Sequence, residues 1–123
     1  MYEIDMEIGG DRKGYWALLR FEDRQGKPHR REIKKSRKAD KNSNVLQAAV
    51  EAFQVLKRPC VVNLFTESDY ILNPMGQGWL AKWETNGWRN SAGKRIKNVG
   101  QWQALSMAAA GHRILPHRKK EES

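Results

Sequence analysis

Asp5 and Glu7 lie in the alternating stretch Tyr2-Glu3-Ile4-Asp5-Met6-Glu7-Ile8, and Glu67 directly follows the apolar run from Cys60 to Phe65. Glu3, Asp5 and Glu7 share one face of an alternating strand, where they repel one another unless cations lie nearby. Asp5 or Glu7 is therefore a candidate ligand for a divalent ion, and solvent exposure on an open sheet is the competing reading. Glu67 stands where open α/β sheets place chemistry, at the carboxyl end of a strand and just before a helix. Asp69 reads as the N-cap of that helix, which is expected to end at Pro74. A second set of residues suits a different chemistry. Residues 77–102, QGWLAKWETNGWRNSAGKRIKNVGQW, hold four of the five tryptophans, Trp79, Trp83, Trp88 and Trp102, among Lys82, Arg89, Lys94, Arg95 and Lys97. Cations neutralise phosphates while indole faces pack on sugar or base, so this mixture fits a nucleic-acid backbone. The alternative is a core of tryptophans under a solvated charged face.

The elements that position these residues follow from their periods. Tyr2, Ile4, Met6 and Ile8 form the apolar face of a first strand, Gly9-Gly10-Asp11 reads as a turn, and Tyr15 to Phe21 as a second strand. Residues 28–36, PHRREIKKS, read as a charged edge strand. From Asn42 the period becomes helical. Val45, Ala49, Ala52 and Leu56, widened by Leu46, Val50 and Phe53, predict a buried helix capped by Asn42, Ser43 or Asn44 and closed by Lys57-Arg58-Pro59. The run at 60–65 predicts a strand buried on both faces and parallel to a neighbour, reached by a helical crossover. Trp79 and Trp83 lie on one face of a helix that Gly87 ends, and a last helix runs from about Val99 to Ala110 before Gly111. His112 to Pro116 predict a final short strand.

One domain accounts for 123 residues, expected over 1–116 with a charged tail over 117–123. With 23 Lys and Arg against 14 Asp and Glu, the formal charge is +9, which favours polyanionic partners over a small neutral ligand. No run approaches the roughly 20 apolar residues that span a bilayer, and Met1 leads straight into an acidic alternating segment, so a cytoplasmic protein without membrane attachment is expected. The single cysteine, Cys60, reads as a small core residue.

Three pieces of the tryptophan stretch resemble the basic handle of ribonuclease HI: Trp79-Leu-Ala-Lys-Trp83, Gly87-Trp88-Arg89, and Lys97-Asn98-Val99-Gly100-Gln101-Trp102. A weaker similarity reaches back to about Tyr15 and fades after about Ile114. The resemblance implies the fold class: an α/β, ribonuclease H-like mixed sheet with a three-stranded antiparallel meander, then a helix and a parallel central strand, helices on the faces and a basic helical handle. It also implies a nucleic-acid-binding set of Trp79, Lys82, Trp83, Trp88, Arg89, Lys94, Arg95, Lys97, Asn98 and, at the start of the long helix, Asn42.

The family cuts the RNA strand of an RNA/DNA hybrid with two divalent ions about 4 Å apart, held by four carboxylates. Carried over one at a time, the first falls on Asp5 or Glu7, with the register open. The second falls on Val45, which is no ligand. The third falls on Glu67 of Thr66-Glu67-Ser68-Asp69-Tyr70, where the family has T-D-S-x-Y. The fourth finds no counterpart. Asp5, Glu7 and Glu67 are thus both the catalytic and the metal-ligand candidates, and a single weak Mg²⁺ or Mn²⁺ site is the cofactor expectation. Two readings stand open on whether the chain is an enzyme. One is a module that binds RNA/DNA hybrid or duplex nucleic acid with weak or absent cleavage. The other is an active metal-dependent hybrid endonuclease whose ligands a dimer mate completes, through the tail's Glu121 and Glu122.

Overall fold

The computed structural model describes residues 2–119. Three strands come first, β1 (Tyr2–Gly10), β2 (Gly14–Glu22) and β3 (Pro28–Ser36), followed by helix α1 (Lys41–Gln54) and strand β4 (Cys60–Thr66). Helices α2 (Asp69–Gln77), α3 (Trp79–Thr85) and α4 (Val99–Ala109) lead to β5 (Arg113–Arg118). The sheet order is β3-β2-β1-β4-β5. The first three strands form an antiparallel meander, β4 runs parallel to β1, and β5 runs parallel to β4. Each parallel step needs a crossover, which α1 supplies once and α2 to α4 supply again.

The strand alternation sorts the core. Ile4, Met6 and Ile8, with Tyr15, Ala17, Leu19, Val62 and Leu64, meet Leu46, Val50 and Phe53 of α1 and Trp102 and Leu105 of α4. Ala48, Ala49 and Ala52 are fully buried, and their small side chains let the helix lie close to its neighbours. The opposite sheet face carries Glu3, Asp5, Glu7, Trp16, Arg20, Asn63 and Phe65, all exposed or half-buried.

Several local expectations are corrected. The N-cap of α1 is Asp40, whose carboxylate accepts from the Ser43 N–H at 2.7 Å, and not Asn42, Ser43 or Asn44. Ser43 and Asn44 are buried inside the helix instead. The Asn44 amide donates to the Asp11 carbonyl at 2.6 Å and to that of Arg37 at 2.8 Å, and its oxygen accepts from the Arg37 guanidinium at 2.9 Å. One side chain thereby ties the β1–β2 turn to the loop before α1. The helix closes at Gln54, ahead of Lys57. Gly9 and Gly10 belong to β1, level with Trp16 and Tyr15 of β2, and form no turn. A Cβ on Gly10 would lie 3.1 Å from the Val45 nitrogen, so a side chain there would push α1 away from the strand by a few tenths of an ångström.

Strand β4 alternates between buried and half-buried residues and is not buried on both faces, because Val61, Asn63 and Phe65 look toward the open side of the sheet. Ser68 is the N-cap position of α2, with Asp69 its first residue. Pro74 lies within α2, where it costs one backbone hydrogen bond, and the helix stops at left-handed Gly78 instead. Strand β5 continues through His117 and Arg118, two residues into the expected tail, and Glu121 and Glu122 lie outside the described residues.

Candidate nucleic-acid interface

The handle is built on Trp83. Its ring lies 6.0 Å from that of Trp79, 6.4 Å from Trp88 and, edge-on, 5.2 Å from Trp102. Such offset and edge-to-face pairs are favoured by the ring quadrupoles. Asn86 caps α3, Gly87 follows in the left-handed region at φ 66°, and the Trp88 N–H reaches back to the Trp83 carbonyl at 2.7 Å. Trp88 itself sits at φ 63°, a conformation a bulky residue adopts only when its surroundings fix it. The loop beyond is a small hairpin. Arg89 bridges antiparallel to Arg95, and the Asn90 carboxamide oxygen accepts from the N–H groups of Ala92 and Lys94, both at 3.0 Å.

Lys82, Arg89, Lys94 and Arg95 are exposed, and among the described residues none has an acidic partner. Lys97 does have one, since its ammonium lies 3.7 Å from the Asp40 carboxylate, with both side chains exposed. An open groove of about 590 Å³ joins this handle to the end of the sheet, with Asn42, Glu67, Trp79, Trp83 and Lys97 on its wall. The Tyr70 hydroxyl fastens the groove floor. It accepts from the Asn98 amide at 3.1 Å and from the Trp102 indole N–H at 3.0 Å, and donates to the Lys97 carbonyl at 3.4 Å. Asn98, at φ 59°, turns the chain from the handle into α4 and faces this hydroxyl rather than solvent. Trp102 is buried core at the root of the handle.

The carboxylate candidates separate. Glu67 is exposed on the groove wall, and among the described residues its carboxylate has no hydrogen bond or ion pair. Asp5 lines a different groove, formed with Tyr2, Arg20 and His29, and shares the Asn63 amide with Glu3 at 3.1 Å and 3.0 Å. Glu7 accepts from the Arg20 guanidinium at 2.7 Å and from the Lys119 ammonium at 3.3 Å. Val45 is buried against the core. Two dications held close together need several converging anionic oxygens. These residues do not fit that demand: among the described residues no three of His, Cys, Asp and Glu group into a set that could hold a metal ion.

One polar cluster escapes sequence reasoning because its members are scattered through the chain. Glu51 on α1 accepts from the hydroxyl of Tyr15, from Lys35 and from Gln47, and Gln101 of α4 extends the cluster to Gln47 and Ser43. Burial pushes the Tyr15 hydroxyl up to about 12, aided by its bond to the Glu51 carboxylate and by that group's charge. Burial also opposes ionisation of Glu51, but the bonds from Lys35, Tyr15 and Gln47 outweigh it and hold the carboxyl below its ordinary value. The Tyr15 contribution to stability is therefore present below the ordinary tyrosine range and lost as pH rises through about 12. That of Glu51 is present above the ordinary carboxylate range and lost as pH falls through its lowered folded value. Glu51→Gln is expected to lower the Tyr15 titration only part of the way from about 12, because burial remains, and tyrosinate absorbance follows the change. An unmoved midpoint would leave burial as the sole cause.

This sheet order, with its crossover helices and basic handle, defines an α/β fold of ribonuclease H type. LC9-RNase H1, a type 1 RNase H with the type 2 active-site motif, superposes with a TM-score of 0.77 at 23% identity, over 98% of this chain and 64% of that one. LC11-RNase H1 in complex with RNA/DNA hybrid does so with a TM-score of 0.57 at 12% identity, over 97% and 86%. Residues 7–117 match the RNase H family model, and the chain belongs to that family. Ribonuclease H of Chlorobium phaeovibrioides is 38% identical over 111 residues, 89% of this chain and 73% of that protein. Ribonuclease H of Thermus thermophilus is 38% identical over 112 residues, which is 64% of its own length. Among the described residues no helix is long and apolar enough to cross a membrane.

Proposed function

We propose that this chain is a ribonuclease H-type module that grips RNA/DNA hybrid or duplex nucleic acid through its handle and cleaves weakly or not at all. The observation that carries the proposal is the Arg89–Arg95 bridge. Like charges placed directly opposite are unfavourable on their own, and an anionic backbone beside Lys82 and Lys94 relieves them. LC11-RNase H1, of the same fold, is in complex with RNA/DNA hybrid. The dispersed carboxylates support the second half of the proposal, because Glu7 is taken by two cations and Asp5 faces another groove. We assign the single domain expected over 1–116 as the working unit and extend it through β5 to Arg118. The intracellular setting is part of the same proposal, and buried, unpaired Cys60 suits a reducing compartment.

The test is incubation of a labelled RNA/DNA hybrid with the purified protein in Mg²⁺ and in Mn²⁺, with Glu67→Gln beside it and binding read by gel shift. Retarded but uncut hybrid in every lane is the expected result. A competing reading, an active hybrid endonuclease completed by a dimer mate, draws on the unpartnered carboxylate of Glu67 and on the ribonuclease H relatives. Cleavage that disappears in Glu67→Gln would establish that reading and end ours.

A further inference from the structure

Glu7 pairs with Phe65 across the parallel β1–β4 ladder. Asp5 and Glu7 pair with Asn63 and Phe65, so both stand back from Glu67, which follows the last residue of β4, and the same register extended by two residues would set Gly9 beside it. Gly9 has no side chain, and the space where one would project is taken. A Cβ built there would lie 2.5 Å from Cζ2 of the Trp16 indole. The Lys119 ammonium stands 5.0 Å over the same ring and 3.3 Å from the Glu7 carboxylate, which also receives Arg20. The Lys119 N–H donates to the Thr66 carbonyl at 2.9 Å, which fixes its backbone at this end of β4.

Beside it, Arg118 bonds the Asp69 carboxylate and the Glu67 carbonyl. A dication would need converging anionic oxygens at this sheet end, and here Glu7 and Asp69 are already held by Arg20, Lys119 and Arg118 beside an indole.

We infer that Trp16 and Lys119 seal the carboxyl end of β1. The indole fills the volume over Gly9, and the tethered ammonium shares the Glu7 carboxylate with the Arg20 guanidinium, so this site admits no free divalent ion. The inference deepens the non-cleaving proposal by giving it a built cause. It also makes the fold and the grip on nucleic acid indifferent to Mg²⁺. An ammonium held between a carboxylate and an aromatic face satisfies both with one charge, and it is carried by the chain rather than drawn from solution.

Lys119→Glu is the informative variant, since the side chain is partly exposed and its replacement leaves the core intact. It removes the tethered cation and adds a carboxylate beside Glu7. The wild-type melting temperature is expected to be the same in EDTA, Mg²⁺ and Mn²⁺, with no selective Mn²⁺ broadening of the Glu7 and Gly9 amide signals. Lys119→Glu is expected to melt lower in EDTA, to recover in Mn²⁺, and to lose those two amide signals at Mn²⁺ concentrations that leave the wild type unchanged. Selective broadening at Glu7 and Gly9 in the wild type would overturn the inference, as would a variant that stays indifferent to Mn²⁺. Hybrid binding is measured on the same samples. Wild-type binding in EDTA supports the seal, and binding that requires Mg²⁺ overturns it. No binding under any condition would overturn the functional proposal, while the melting and broadening results would still decide the seal.

Discussion

Trp102→Ala is expected to lower the folding free energy by about 3–5 kcal/mol, the range for emptying a fully buried large aromatic site. Set against a total of about 5–15 kcal/mol for a domain of ordinary stability, that loss leaves a marginal fold. The size follows from what the indole touches. It is 1% exposed, meets Trp83 edge-on at 5.2 Å and Tyr70 at 5.4 Å, and donates its N–H to the Tyr70 hydroxyl at 3.0 Å. Trp102→Phe keeps most of the packing and removes the donor, so it should cost more nearly the roughly 1 kcal/mol of a single hydrogen bond plus a modest cavity. Urea unfolding followed by circular dichroism separates the two, provided the slope with denaturant is unchanged. A loss below about 1 kcal/mol for the alanine variant would show that the root of the handle packs independently of the core.

Removing Lys94, Arg95 and Lys97 together by alanine is expected to produce the largest loss of nucleic-acid affinity. Each neutralised phosphate releases condensed counterions, so on duplex the slope of log affinity against log salt should flatten by about 0.9 for every phosphate left without its cation. Lys97 should contribute less than Lys94 or Arg95, because Asp40 already neutralises part of its charge at 3.7 Å. The loss should be similar for unrelated sequences, as backbone contacts position the partner without reading bases. Fluorescence anisotropy of a labelled hybrid across a salt series measures both quantities. An unchanged slope in the triple variant would move the interface away from the handle.

The fold was legible where one physical signal dominated. Alternation marked β1 and β2, the charged run at 28–36 matched β3 at both ends, and the helical stripe through Val45, Ala49 and Ala52 marked α1. Boundaries slipped where several residues competed for one role. Between Asp40 and Asn44 four side chains are able to cap a helix, and the choice of Asp40 depends on Asn44 being engaged by Asp11 and Arg37, distant partners that no local pattern reveals. Pro74 reads as a stop from sequence, yet α2 accepts the lost bond and runs on to Gly78.

The candidate site divided along the same line. The packing of Trp79, Trp83 and Trp88 on one another was legible from their helical and cap spacings, whereas the bonds of Asn98 and Trp102 to the Tyr70 hydroxyl were not. The carboxylates carried charge and strand position in the sequence but not their partners. Nothing near Glu7 in the chain announces Lys119, which reaches it only because β5 runs beside β4.

The central place of β1 has a kinetic consequence. Its antiparallel neighbour β2 follows at once, but its other neighbour is β4, with Tyr2 paired to Cys60 and Glu7 to Phe65. On a ribosome the meander emerges before α1 and β4 with one edge of β1 unpaired, and that edge waits until both have been made. Loops of this length must close before their contacts repay the entropy, which slows folding and lengthens the exposure of the edge. The lysines and arginines of β3 guard the opposite, permanent edge of the sheet, so during synthesis the vulnerable side is the one that later lies in its interior.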